Sequence, residues 1–178
     1  MGRPRRQDDV VILRARQPSD DDAIQRLNDA AFGGPDESRL ISALRDGGLA
    51  AIDLVALEGE TIVGHLLLSK LVVTLTLGGR GLRTLALAPM AVAPDRQQQG
   101  IGSALVRAGL QAAREGGWQA VIVLGHPDFY PRFGFSTEKA ALLEAPFQGS
   151  AFMALELEAG VLAGRGWVVY PPPFGLDS

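Results

Sequence analysis

The sequence of 178 residues contains no cysteine. That excludes a disulfide framework, a thiolate metal site and a covalent cysteine intermediate. It has only two histidines, His65 and His126, far apart and without paired ligand spacing, so no metal centre is expected. Basic residues are not in excess: 17 against 20 acidic residues leave a formal charge of −3. A sequence-independent nucleic-acid binder needs a basic face, which this balance does not offer. The visible basic cluster, Arg3, Arg5 and Arg6, reads as part of a flexible, solvated tail over residues 1–9. No secretory h-region and no run of transmembrane length is present. The default expectation is therefore cytoplasmic, with neither nucleic acid nor membrane as partner.

What is there suits one domain. Apolar residues make up 47% of the chain, enough for a core at this length. No repeat or composition shift marks a linker, so residues 10–178 are expected to form a single domain. "VVILRAR" (10–16) predicts a first strand. Ser19 is read as an N-cap, with Asp20, Asp21 and Asp22 at the positive end of a helix running to about Phe32. Leu40, Ile41 and Leu44 mark a second helix, closed by Gly47-Gly48. "IDLVALEGETIVGHLLLSKLVVTLTL" predicts two strands joined by a hairpin at Glu58-Gly59-Glu60. "LRTLALAPMAVAP" (82–94) is apolar on both faces and reads as a central fourth strand. A helix over about 99–116 and a buried parallel strand, "AVIVL" (120–124), complete a right-handed crossover. "SAFMALEL" (150–157) and "GWVVYPPPF" (166–174) add strands and a proline-rich end. The class is α/β, antiparallel in its front half with a parallel crossover behind.

The chemistry gathers where the fourth strand meets its helix. Gly100 and Gly102 leave bare backbone at a helix N-terminus, where unpaired N–H groups and a partial positive charge bind phosphate oxygens. The lysine of a Walker A loop is missing, since Ser103 follows Gly102 directly. The third glycine of a dinucleotide fingerprint is missing too, because Leu105 stands in its place. Alone, such a turn fits tight helix–strand packing equally well. Pro89 adds a second signal, since a proline inside a central strand predicts a bulge. A bulge would splay strand four from strand five and free backbone groups near Met90 and Val92. An extended, amide-containing ligand could pair there as an added strand. A diphosphate end and a peptide-like arm occur together in coenzyme A.

These segments resemble the GNAT superfamily of acetyl-CoA-dependent N-acetyltransferases. The family signature, Arg/Gln-x-x-Gly-x-Gly/Ala, here reads Gln97-Gln98-Gln99-Gly100-Ile101-Gly102. "MAVAPD" matches the family's strand-four ending, and Tyr130 stands four residues before the Gly134-Phe135 pair. The order of segments across nearly the whole chain is similar to the YhbS-like branch. The resemblance implies a mixed, largely antiparallel central sheet flanked by helices and splayed at strands four and five. It implies acetyl-CoA as cosubstrate, no metal, and transfer of the acetyl group to a primary amine by direct attack.

Residue by residue, the resemblance assigns the amides of Gln98, Gln99, Gly100, Ile101, Gly102 and Ser103 to the diphosphate. Gln97 begins the signature, with Arg96 as a neighbouring phosphate partner. The backbone of Met90, Ala91 and Val92 would hold the pantetheine arm. Tyr130 would be the catalytic acid, beside the departing sulfur. No strand-four carboxylate is present, so Glu37, Glu58, Glu60 or a water chain are the candidates for the base. His65, in the apolar "VGHLLL", reads as structural. His126 reads as part of the turn before Pro127, with a neutral imidazole acting as base or ligand partner as the alternative, and Asp128 as an N-cap for a short turn at 129–133. The acceptor wall is expected from the 33–40 loop, the hairpin and the C-terminal strands, for a small-molecule or protein amine. The alternative is a catalytically silent acyl-CoA-binding or sensing domain of the same fold.

Overall fold

The structure, a computed structural model, describes residues 10–176. Arg3, Arg5 and Arg6 lie outside the described residues. The edge strand β1 (Val11–Ala15) is followed by α1 (Asp21–Phe32) and α2 (Asp36–Asp46). Next come β2 (Ala50–Glu58), the long β3 (Thr61–Leu75) and β4 (Gly81–Val92). After α3 (Ile101–Glu115) and β5 (Ala120–Leu124) the chain forms α4 (Thr137–Ala140), β6 (Leu143–Glu144), β7 (Phe152–Glu156) and β8 (Gly166–Val169). The eight strands form one sheet in the order β1-β2-β3-β4-β5-β7, with β8 on the far end of β3 and β6 on β8. Among the described residues only β4–β5 and β6–β8 are parallel. The sheet is thus mixed and largely antiparallel, as the sequence implies.

One local expectation here needs correction. Ser19 does not cap α1. A 3-10 turn, Pro18–Asp20, precedes the helix, and Asp20 holds the junction. Its carboxylate accepts from the Gln17 N–H at 2.7 Å and from both Arg14 guanidinium nitrogens at 2.6 and 3.0 Å. The Arg14 bonds hold this carboxyl down to about 2. A charged pair outcompetes a neutral hydroxyl for that position. The last strand ends at Val169, just before the proline-rich end, because Pro171, Pro172 and Pro173 cannot donate to a ladder.

The bulge expected at Pro89 is present and sets which way the strand faces. Leu87 stands opposite Leu68, but Met90 stands opposite Leu66. Ala88 and Pro89 therefore share one partner, Leu67, and the side-chain alternation of β4 inverts beyond them. Met90 and Val92 consequently point to the α3 face, where regular alternation would have put Ala91.

That face carries the larger core: Leu66, Leu68, Leu85, Leu87, Leu105, Val106 and Val121 are all buried under α3. Helix and sheet meet closely because Gly64 has no side chain. A Cβ there would lie 2.9 Å from Leu105 Cδ1, 3.0 Å from Ile101 Cγ2 and 3.2 Å from Ala56 Cβ. The opposite face packs α1 and α2 through Ile24, Ile41, Leu44 and Leu67. A polar chain runs beneath these helices. Arg16 and Arg45 both bind Asp21, and Arg45 Nε reaches Asp53 at 2.8 Å. Asp53 meets His65 Nε2 at 2.9 Å, and His65 Nδ1 lies 3.3 Å from Asn28 Nδ2. Burial works to raise the Asp53 carboxyl, but the bonds from His65 and Arg45 outweigh it and leave it below its ordinary value. With Nε2 toward Asp53 and Nδ1 toward Asn28, each ring nitrogen has one polar neighbour. His65 is thus a buried strut between β2, β3 and α1.

Gly64→Val should destabilise the protein by about 1–3 kcal/mol through overpacking under α3. Urea denaturation checks this; an unchanged midpoint would show that α3 does not rest on Gly64.

Candidate active site

The β4–β5 ladder ends at the Leu87–Val123 pair. Beyond it, β4 stays with β3 through Met90–Leu66 and Val92–Gly64, while β5 stays with β7 through Leu124–Phe152. The two strands part, and one edge of β4 after Leu87 is left without a strand neighbour. A cleft of about 1060 Å³ passes through this split. Its lining runs from the N-terminus of α3, through the gap, to α1, α2 and the C-terminal segment on the other face.

The α3 end is shaped for an anion. The first backbone bond of α3 runs from the Ala104 N–H to the Gly100 carbonyl at 3.0 Å. The amides of Ile101, Gly102 and Ser103 precede that ladder and carry the positive end of the helix dipole. Just before them, Gln98 (φ 61°) and Gly100 (φ 86°) are left-handed. Among the described residues Gln98 is the one non-glycine with positive φ, a conformation costing roughly 1–2 kcal/mol. A left-handed residue directly before a helical one, as Gly100 stands before Ile101, turns successive N–H groups into a concave surface suited to an anion. Gly102 is not needed for packing: a Cβ there would meet Met90, Phe129 and Val92 only at 3.5–3.7 Å. Its bareness instead leaves the helix start open to whatever lies in the cleft.

Of the residues singled out in sequence, Met90, Val92, Gln97, Gln98, Gly100, Ile101, Gly102, Ser103 and Tyr130 line the cleft. Ala91 and Gln99 do not. The Ala91 side chain is buried on the other face, a consequence of the bulge. The Gln99 amide turns back to the Asp95 carbonyl at 3.5 Å. Gln97 ties the loop to the strand by donating to the Val92 carbonyl at 3.3 Å. Arg96 lines the cleft while paired with Glu58 at 2.9 Å and Asp95 at 3.0 Å.

Tyr130 is 7% exposed, with its ring edge-on to Phe129 (5.0 Å) and Phe135 (5.7 Å). Burial pushes its phenol up to about 12, so it is protonated at neutral pH. Gly125 makes room for the ring, since a Cβ there would lie 2.3 Å from Tyr130 Cε2. Sequence reasoning missed Gly125, because nothing local distinguishes it from an ordinary strand-end glycine. The turn is closed by the His126 carbonyl, which accepts from Phe129 N–H (3.1 Å) and Tyr130 N–H (3.3 Å). Asp128 does not cap it: the 3-10 turn Tyr130–Phe133 begins at Phe129 with no side-chain cap. Both Asp128 and His126 line the cleft instead.

Of the three candidate bases, only Glu37 lines the cleft, from the first turn of α2. Glu58 is held by Arg96, and the hairpin bearing Glu58 and Glu60 forms no part of the wall. Phe32, Leu40, Phe147, Tyr170 and Phe174 do form it. The described residues hold no cluster of three or more His, Cys, Asp or Glu suited to a metal ion, and none of their helices is long and apolar enough to cross a membrane.

Gly125→Ala should displace the Tyr130 ring and cost about 1–3 kcal/mol. In a spectrophotometric titration, one of the two tyrosines should then ionise near the ordinary value of about 10 rather than about 12. An unchanged titration would show that the ring does not depend on this glycine.

Residues 13–137 match the family described as acetyltransferase (GNAT) domain. The chain is 32% identical over 168 residues to the uncharacterized N-acetyltransferase YhbS of Escherichia coli strain K12, covering 92% of this chain and 98% of that protein. The crystal structure of E. coli YhbS in complex with CoA is similar at a TM-score of 0.84 and 31% identity, over 94% of this chain and 93% of that one. A GNAT family acetyltransferase from Brucella melitensis, solved with acetyl-CoA, is similar at a TM-score of 0.76 and 29% identity, over 93% and 98%.

Proposed function

This chain belongs to the GNAT acetyltransferase family, and on that premise we propose that it moves an acetyl group from acetyl-CoA to a primary amine by direct attack. The observation that carries the reading is the single cleft joining the α3 N-terminus, the unpaired edge of β4 and the Tyr130 phenol. The fit to the cosubstrate rests on this chain's own features. The left-handed Gly100 and the amides of Ile101, Gly102 and Ser103 suit a diphosphate. The open β4 edge at Met90 and Val92 suits a pantetheine arm, which carries amides of its own. When bound, acetyl-CoA supplies an activated acyl carbon as a thioester.

The protein's part is orientation and proton handling. Backbone N–H groups along the β4 edge fix the arm and polarise the thioester carbonyl. The amine nitrogen bonds to the acyl carbon as the carbon–sulfur bond breaks. Tyr130 donates its proton to the departing sulfur and regains one from solvent. The same dry surroundings that hold the phenol protonated also raise the proton affinity of the thiolate, which keeps that transfer in range. To Glu37, which lines the cleft from the first turn of α2, we assign the proton the amine must lose, taken directly or through water.

Tyr130→Phe should lower kcat by about 10²–10⁴-fold, with acetyl-CoA affinity by calorimetry little changed. Wild-type turnover in that variant, measured as thiol release with an accepted amine, would remove Tyr130 from the mechanism. A donor phenol is lost from the active form as pH rises through its pKa, here about 12. The wild-type rate should therefore show no descending limb below about pH 10. A descending limb centred near the ordinary phenol value would contradict this. Failure to bind acetyl-CoA at high micromolar concentration would overturn the reading as a whole.

A further inference from the structure

The cleft ends among aromatic rings on the face opposite α3. Phe32 closes α1, Glu37 and Leu40 stand on α2, Phe147 precedes β7, and Tyr170 and Phe174 follow β8. Tyr170 packs edge-on against both Phe147 (5.5 Å) and Phe174 (5.2 Å), and Phe174 also meets the apolar cluster beneath α2. The charged lining residues Arg96, Asp128 and Arg132 belong to the segments around the α3 N-terminus and the end of β5. Glu37 is the one charged residue that α1, α2 and the C-terminal segment bring to the lining.

We propose that this end receives the acceptor, and that the acceptor is a small primary amine carried on an apolar chain or ring. Its nitrogen is drawn toward Glu37, and its body lies against Phe32, Phe147, Tyr170 and Phe174. The inference rests on the acetyl transfer proposed above. The argument is one of charge and solvation. A carboxylate lining the cleft favours an ammonium on arrival. A second cation or a carboxylate on the amine's body would give up water against these rings, where α1, α2 and the C-terminal segment offer no charge besides Glu37. A methylene in that position gives up water at a profit, roughly fourfold in affinity for each one buried.

The test uses the full chain and two readouts. Thiol release is followed with propylamine, butylamine, pentylamine, hexylamine and 2-phenylethylamine. 1,4-Diaminobutane and 4-aminobutyrate are the charged counterparts of pentylamine. Calorimetry measures binding of hexylamine and 1,4-diaminobutane to CoA-loaded protein, and of acetyl-CoA itself. The expected result is a rise in kcat/KM of roughly fourfold per added methylene, with pentylamine at least about tenfold ahead of 1,4-diaminobutane. Hexylamine should bind the CoA-loaded protein and the diamine should not. Phe32→Ala, at a ring 46% exposed and so tolerant of truncation, should flatten the chain-length slope. The proposal is overturned if acetyl-CoA binds but the charged counterparts match pentylamine, or if no apolar amine binds or reacts. If acetyl-CoA itself does not bind, acetyl transfer falls first and the acceptor assignment falls with it.

Discussion

A proline has no N–H to give to a ladder, and the sheet absorbs Pro89 by setting two residues of β4 against one of β3. Much of the site depends on that local mismatch. It inverts the alternation of β4, so that Met90 and Val92 meet the start of α3 at Gly102. It also falls where β4 and β5 stop pairing, which leaves backbone groups facing a gap rather than another strand. A regular strand here would have been a stiffer sheet without a way through it.

Around that gap the groups are held in place before anything binds. Gln98 keeps a left-handed backbone that costs energy in the folded protein, and Gly100 and the α3 dipole extend the same anion-shaped surface. Tyr130 packs closely against Gly125, fixed between Phe129 and Phe135. On the other face, the polar chain from Arg16 to His65 locks α1 and α2 to the sheet and so fixes Phe32, Glu37 and Leu40 at the cleft. A charge in that chain left unpaired would be costly, so these helices have little freedom to drift.

Much of this was legible in the letters. Periodicity marked the strands and helices, and Pro89 with Gly100-x-Gly102 marked the junction, because bulges and helix starts are local events. The cap at Ser19 was misread because Arg14, five residues upstream, claims its neighbour Asp20. The Ala91 side chain turns away from the cleft because a bulge reverses faces, and a sequence does not state its register. The wall opposite α3 was half legible: the C-terminal segment and the 33–40 region take part, but the hairpin does not. Phe32, Phe147, Tyr170 and Phe174 come together only through the return of β8 onto the far end of β3, a contact between residues almost a hundred positions apart.

The passage through the sheet also divides the chain by inheritance. One mouth is built from segments 89–103 and 125–132, the other from 32–40, 147 and 170–174. No short segment serves both, and substitutions at well-separated positions act nearly independently. A lineage could therefore exchange the rings at one opening while the other keeps its shape. A chain built this way can diversify in what it accepts without reinventing how it holds its donor.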